Sequence, residues 1–279
     1  MAEPFDTCWA RITRADAHNK AVAKAWNAFI EEDTEAYEPV LNIEPDGTGR
    51  LWVYQVKPIP SSISFGVGEF LYQLRAALDA SIYELACVNG KKRPPAKESA
   101  LEFPICSSPR SFEDSRWKIE PLTEEQRAIV ESVQPYKAPP DLEPRYIPYN
   151  FNRTLGILHD WARIDRHRRL HVAGSWADNL EPMFVVPKGT TLVDLEILEP
   201  GFLLENEREV ARFRINGWKP GMNVYANPNL TFDIGLDEVP PPCHESDTLG
   251  KRFKGMLITV TSVVAGLAKT VGIDFKKSG

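Results

Sequence analysis

The chain has 279 residues, of which 43% are hydrophobic and 26% are charged, and this composition is typical of a globular protein. Its formal net charge of −6 argues against general electrostatic capture of nucleic acid or anionic membranes, so any polyanion site must be a local basic patch. No apolar secretory segment is visible near the N-terminus, and the longest uncharged run near the C-terminus, Gly255 to Ala268, is too short to span a bilayer. With no export signal visible, the four scattered cysteines predict reduced thiols in the cytoplasm.

The first ninety residues predict two helices separated by a β-hairpin. Residues from about Trp9 to Glu35 follow helical periodicity. Two apolar runs within residues 38–57 flank Asp46-Gly47, which is a strong hairpin-turn signal. Segment 67–88 predicts the second helix, because apolar residues recur along it at helical spacing: Val67, Leu71, Leu74, Leu78, Ile82 and Leu85.

Charged and polar residues predict an ion pair on the second helix, a loop after it and the start of a further helix. Arg75 lies at the edge of the apolar stripe, and Asp79 follows one turn later, where the two side chains can pair. The proline-rich, charged connector from Asn89 to Pro104 predicts a surface loop. Thr123 followed by Gln126 is a capping-box pattern, which predicts the start of a short helix.

The second half of the chain predicts a long helix and then a β region. The helix runs from about Asn150, a candidate N-cap, to His171, with Gly174 as its stop signal. Apolar and alternating runs between residues 183 and 236 predict strands, and residues 248–271 predict a closing helix. We therefore predict an α+β fold, with a helical N-terminal region that carries the hairpin (1–175) and an antiparallel β region closed by a C-terminal helix (176–279).

The long helix concentrates the ionisable side chains. Arg163 to His171 contains four arginines and one aspartate, a formal local charge of +3 on an acidic protein. A helical projection places one polar ladder beside the apolar arc. The ladder consists of His159, Arg163, His167 and His171. Three further charged residues fall within the apolar arc, where charges are costly unless they are paired: Asp165, Arg168 and Arg169. Arg75 and Asp79 are their expected partners.

A metal site is one interpretation of the ladder. His167 and His171 have the i, i+4 spacing of helical zinc ligands. The neighbouring arginines would repel a cation, however, and no carboxylate on that face offsets them. Cys243-His244 supplies two adjacent donors without a second pair. The prediction is therefore that the protein uses neither a metal nor another cofactor.

Phosphate chemistry fits the same residues better. The planar guanidinium group of arginine binds phosphate oxygens through paired hydrogen bonds. A histidine near its ordinary pKa can take a proton from a 2′-hydroxyl group or give one to a leaving oxygen. Charge stabilisation and proton transfer are what RNA cleavage without a metal requires.

Residues Arg166 to His171, RHRRLH, resemble a motif of the HEPN superfamily of helical ribonucleases and toxins, in which arginine and a polar residue precede histidine by fixed spacing. The resemblance implies a metal-independent ribonuclease of toxin or phage-defence type. It implies that Arg166 engages the scissile phosphate, that His171 is the general acid or base, and that His167 is the second polar residue. It also implies a homodimer that binds RNA in a cleft between protomers. On a continuous helix Arg166 and His171 point about 140° apart, so a second chain or a break in the helix would have to bring them together.

Two alternatives give the helix other roles. In a non-catalytic binding or scaffold protein, the helix would hold an acidic partner or nucleic acid. Its binding groups would be Arg163, His159 and Trp161, with stacking surface added by Trp176 and Tyr149. In a structural role, the charged residues of the helix would form a buried ion-pair network with Arg75 and Asp79. The order of the segments LRAALD, FPI, QPY and DRHR also resembles bacterial proteins of unknown activity.

Overall fold

The computed structural model describes residues 3–32, 36–141, 150–167, 172–199, 202–204, 206–236 and 249–274. Within these ranges the protein has the predicted α+β fold, with six α-helices. They are α1 (Asp6–Asn27), α2 (Ser61–Gly90), α3 (Pro109–Ser115), α4 (Glu124–Ser132), α5 (Phe151–His167) and α6 (Leu249–Lys269). A π-helical turn, Ala28–Glu32, follows α1, and short 3₁₀ turns occupy Glu98–Ala100, Arg116–Ile119 and Pro135–Lys137. None of the described helices is both long and apolar enough to cross a bilayer.

Nine described strands form three antiparallel sheets. The strands are β1 (Tyr37–Ile43), β2 (Thr48–Gln55), β3 (Val172–Leu180), β4 (Met183–Val185), β5 (Thr191–Ile197), β6 (Phe202–Leu204), β7 (Glu207–Asn216), β8 (Tyr225–Asn227) and β9 (Leu230–Leu236). A four-stranded sheet has the order β1-β2-β7-β5, a three-stranded sheet has the order β6-β3-β9, and β4 pairs with β8. The predicted hairpin is thus part of a larger sheet, because β2 pairs with β7 more than 150 residues later.

Contacts between Cα atoms divide the chain into two compact units. The first comprises Met1–Ala23, Ser64–Leu170 and Gly250–Gly279, and the second comprises Lys24–Ile63 and His171–Leu249. The predicted division placed the hairpin with the helices before residue 175 and the C-terminal helix with the strands after it. The structure places each of these elements in the other unit. The hairpin belongs to the β unit because its second strand, β2, pairs with β7. Helix α6 belongs to the helical unit because its apolar face packs on α2.

The helical unit is built around α2. All six residues of its predicted apolar stripe are fully buried: Val67, Leu71, Leu74, Leu78, Ile82 and Leu85. Phe70 of α2 stacks on Phe253 of α6, with ring centroids 4.0 Å apart and ring planes 18° apart. Full burial of a side chain of this size stabilises the fold by about 1.5–3 kcal/mol. This stacking explains why α6 belongs with the helices and does not close the β region as predicted.

Helix capping within this unit follows the predicted local signals. The Thr123 hydroxyl accepts a hydrogen bond from the Gln126 N–H, and the Gln126 side chain accepts one from the Thr123 N–H, so the capping box is confirmed. Asn150 Oδ1 accepts a hydrogen bond from the Arg153 N–H at 2.9 Å, which confirms Asn150 as the N-cap of α5. The predicted stop at Gly174 is wrong, since Gly174 lies within β3, where it pairs with Gly235.

The connector before α3 is less exposed than its composition suggests. Phe103 is fully buried, although the segment from Asn89 to Pro104 was predicted as a surface loop. The backbone N–H of Phe103 donates to Asp79 at 2.9 Å, and its carbonyl accepts from Arg75 at 2.7 Å. Charges on α2 therefore hold the end of this connector against the helix.

The β unit encloses its own apolar core. Leu51, Val53, Val210 and Ala211 of the four-stranded sheet are buried together with Phe202, Leu204, Leu180 and Ala226 of the other sheets. The hairpin turn forms where predicted: Asp46 accepts hydrogen bonds from the N–H and hydroxyl of Thr48, and Gly47 has φ +86°, which glycine adopts readily. The core therefore draws on two distant segments of the sequence, the hairpin and the later strands.

Candidate functional site

Helix α5 separates an apolar face from a polar one. Leu155, Leu158, Trp161 and Ala162 are buried on the apolar face. His159, Arg163 and Arg166 are spaced i, i+4 and i+7, which places them within about 60° of one another on a face directly beside the apolar one. Arg163 and Arg166 are exposed, and His159 is partly buried. Two members of the predicted ladder, His159 and Arg163, are therefore among the described side chains, and Arg166, which was not part of the ladder, adds a second accessible guanidinium group beside them.

A glycine of α2 sets the approach of α5. A methyl group at Gly68 would lie 2.6 Å and 2.8 Å from the two carboxylate oxygens of Asp165, which is closer than van der Waals contact allows. The absence of a side chain at Gly68 therefore lets the partly buried Asp165 carboxylate lie against α2. Gly68 precedes Arg75 by about two helical turns, so Asp165 occupies a different level of α2 from the predicted partner pair.

Beneath the polar face of α5, a cluster of charges surrounds Arg75, which is 6% exposed. Arg75 forms ion pairs with Asp79 at 3.0 Å and with Glu102 at 2.8 Å, so the predicted Arg75–Asp79 pair is confirmed. Lys118 forms a second ion pair with Glu102. Burial opposes ionisation of Glu102, but the hydrogen bond from Lys118 and the charge of Arg75 hold its pKa below the usual value.

Asp79 is a member of this cluster whose pKa is affected by a charge on α5. Burial raises the pKa of Asp79, while the charges of Arg75 and Arg166 and the hydrogen bond from the Phe103 N–H act in the opposite direction. Among the described residues of α5, Arg166 is thus one whose charge reaches Asp79. Arg168 and Arg169, which the prediction paired with Arg75 and Asp79, lie outside the described residues, so that part stays a prediction.

His159 faces the same cluster from α5. Its pKa is lowered from the ordinary value of 6.5, first by burial and then by the charges of Arg75, Arg166 and Arg163, with Asp160 acting in the opposite direction. Its Nδ1 atom is shielded from solvent and has no hydrogen-bond partner among the described residues. The imidazole is therefore neutral near pH 7, and a neutral imidazole can accept a proton.

Trp161 does not offer the stacking surface that was predicted for it. Its side chain is 1% exposed and lies on the apolar face of α5. The Arg252 guanidinium of α6 lies 5.4 Å from the centroid of the Trp161 ring. A nucleobase therefore cannot reach this ring, because the residue falls on the buried side of the helix.

Several predicted site residues cannot be placed. His167 is the last residue of α5, and its side chain lies outside the described part of the structure. His171, Arg168 and Arg169 also lie outside the described residues, as does Tyr149. The backbone of Trp176 belongs to β3, in the β unit, and its side chain is not described.

Two residues of the charge cluster were not predicted from the sequence. Glu102 lies in the connector before α3, and Lys118 lies in the 3₁₀ turn after it. Neither residue is at a helical spacing from Arg75, so no local pattern marks them. The available signal was an acidic residue, Glu102, within the apolar run from Ala100 to Cys106, where a charge needs a partner.

The described residues bring no three histidine, cysteine or acidic side chains together in a way that could hold a metal ion. His171, Cys243 and His244, on which the metal interpretations depend, lie outside those ranges. No protein-family model, curated protein or solved structure matches the chain.

Proposed function

We propose that this protein is a metal-independent endoribonuclease in which the polar face of α5 binds the phosphates of RNA. The observation that carries the proposal is the placement of exposed Arg163 and Arg166 on one face with the neutral imidazole of His159. Guanidinium groups supply the charge stabilisation that cleavage of a phosphodiester needs. Following the HEPN resemblance, Arg166 engages the scissile phosphate, His171 transfers a proton and His167 contributes a polar contact.

The same resemblance extends the proposal to partners and setting. It favours a homodimer and a role as a toxin or in phage defence, whereas the cytoplasmic location rests on the scattered cysteines. The described cysteines, Cys8, Cys87 and Cys106, are free and buried, which is compatible with a reducing compartment. Light scattering coupled to size-exclusion chromatography checks the oligomeric state, and a monomer that cleaves RNA at full rate contradicts the shared cleft.

A non-catalytic binding or scaffold protein is the second candidate. It is favoured by the Arg75 cluster, because Asp79 and Glu102 already provide carboxylates close to the basic face. Here Arg163 and Arg166 would hold an acidic partner, and the ion pairs would fix the helix that carries them. Both candidates need the exposed arginines, but the ribonuclease alone needs a proton-transfer group.

Incubation of the protein with total RNA in the presence of EDTA separates the two candidates. Wild type is expected to cleave RNA and leave cyclic-phosphate ends, whereas Arg166→Ala and His171→Ala are expected to lose cleavage. Arg153→Ala is the matched control, because Arg153 is an exposed arginine of the same helix that points about 140° away from Arg166.

Each remaining outcome has one meaning. RNA binding that is lost in Arg166→Ala, without cleavage by wild type, supports the binding protein. Cleavage that EDTA abolishes contradicts the metal-independent mechanism. Wild-type protein that neither binds nor cleaves RNA contradicts the ribonuclease and excludes RNA as the ligand of the binding protein.

A further inference from the structure

We infer that His159 is the general base of the cleavage reaction and takes the proton from the attacking 2′-hydroxyl group. The inference rests on the proposed ribonuclease function. It adds a catalytic residue that lies outside the segment from Arg166 to His171, on which the family resemblance depends.

The first support is the position of His159 relative to the phosphate-binding groups. His159, Arg163 and Arg166 share one face of α5 over two turns. Long side chains on a helix lean toward its N-terminus, which carries both guanidinium groups toward the turn of His159. A phosphodiester held by Arg163 and Arg166 therefore lies over the imidazole, where its 2′-hydroxyl neighbour can meet a ring nitrogen.

The second support is the charge that surrounds the imidazole. On α5 it faces Arg163, Arg166 and one carboxylate, Asp160. From α2 it faces Arg75, whose own charge is shared by Asp79 and by Glu102. This excess of cations favours a neutral ring in the free protein, and a general base has to be neutral before it can act.

The third support is the hydrogen bonding of the ring. Buried polar atoms in proteins almost always have a hydrogen-bond partner. Nδ1 of His159 is shielded and has none among the described residues, so no described carboxylate or carbonyl group stabilises the imidazolium form by accepting a hydrogen bond from this nitrogen.

The reaction is balanced without an added metal or cofactor. A nitrogen of His159 accepts the 2′-hydroxyl proton as the 2′-oxygen forms a bond to phosphorus. The bond from phosphorus to the 5′-oxygen breaks, and that oxygen takes a proton from His171 or from water. The products are a 2′,3′-cyclic phosphate and a 5′-hydroxyl end, after which His159 returns its proton to solvent.

The test is single-turnover cleavage of an oligoribonucleotide in EDTA by wild type, His159→Gln and His18→Gln. His18 is the matched control, since it is a partly buried histidine of α1 whose Nε2 is also shielded and unpartnered among the described residues. Loss of general base catalysis is expected to slow His159→Gln by about 10²–10⁴-fold, while His18→Gln keeps the wild-type rate. Affinity for the 2′-O-methyl analogue of the RNA, measured by fluorescence anisotropy, is expected to be unchanged in both variants.

Chemical rescue distinguishes proton transfer from packing. Added imidazole is expected to restore part of the rate of His159→Ala, because a small base can enter the vacated space. A slow His159→Ala variant that imidazole does not restore assigns His159 to packing and overturns the inference. Full activity of His159→Gln overturns the inference alone, whereas a wild-type protein without cleavage overturns the ribonuclease proposal with it.

Discussion

The protonation of His159 is set by charges on two helices, and these charges can be changed singly. Arg163→Gln removes a positive charge that favours the neutral ring, so it is expected to raise the pKa of His159. Asp160→Asn removes a carboxylate that favours the imidazolium form, so it is expected to lower this pKa further. NMR titration of the imidazole Cε1–H signal measures both shifts without any assumption about activity.

Assignment of that signal is practical because the chain has five histidines, each of which can be replaced in turn. Arg153→Gln serves as the control, since it removes an exposed positive charge from another face of α5. A wild-type His159 that titrates above 6.5 contradicts the described environment. An equal rise of the His159 pKa in Arg153→Gln and Arg163→Gln would show that the titration reports general charge and not the polar face of α5.

At the scale of elements, the contact between α2 and α5 depends on Gly68. Alanine in a helix interior is more stable than glycine by about 0.8–1.0 kcal/mol, so an unhindered replacement should stabilise the protein by this amount. Gly266→Ala in α6 is such a control, because nothing lies within 4 Å of the added methyl group. Gly68→Ala is expected to stabilise the protein by less than this amount, or to destabilise it, because the methyl group displaces the Asp165 carboxylate.

A double-mutant cycle isolates this effect. In an Asp165→Ala background, Gly68→Ala is expected to approach the gain of Gly266→Ala, because the displaced carboxylate is gone. Urea denaturation measures the free energy of unfolding of the four proteins. Full stabilisation by Gly68→Ala in the wild-type background would contradict the close approach of Asp165 to α2.

Elements that depend on local signals were predicted well. The apolar stripe of α2, the capping box at Thr123 and the N-cap at Asn150 each involve residues within a few positions of one another. β3 was not predicted, because its sequence VAGSWADNL contains few strand-favouring residues and its pairing partners, β6 and β9, follow much later in the chain. The strand β6 was missed because its three residues, FLL, are too few to show an alternating pattern.

The candidate site was predictable to a similar extent. Helical periodicity placed His159 and Arg163 together, and i, i+4 spacing gave the Arg75–Asp79 pair. Glu102 and Lys118 could not be predicted from the sequence, because only tertiary contacts between α2, the connector and the turn after α3 bring them to Arg75. The burial of Trp161 follows from its place on the apolar face, which outweighs the preference of tryptophan for binding surfaces.

At the scale of the whole molecule, the β unit is assembled from two distant parts of the sequence. Leu51 is fully buried, and its backbone pairs with Leu41 of β1 and Ala211 of β7. Its side chain belongs to the core that also contains Phe202 and Val210. The hairpin, which is inserted between two helices in the sequence, therefore supplies part of the core on which the later strands depend.

Leu51→Ala is consequently expected to destabilise the β unit by about 2–5 kcal/mol, the cost of removing a buried leucine side chain. Hydrogen exchange measures this at the amides of β7, which should lose protection, while the amides of α2 keep theirs if the two units open separately. Val56→Ala is the control, because Val56 is 45% exposed just beyond β2 and a surface change of this kind stays within about 0.5 kcal/mol. Unchanged protection of β7 in Leu51→Ala would contradict a shared core, since an added hairpin would melt without affecting strands that fold by themselves.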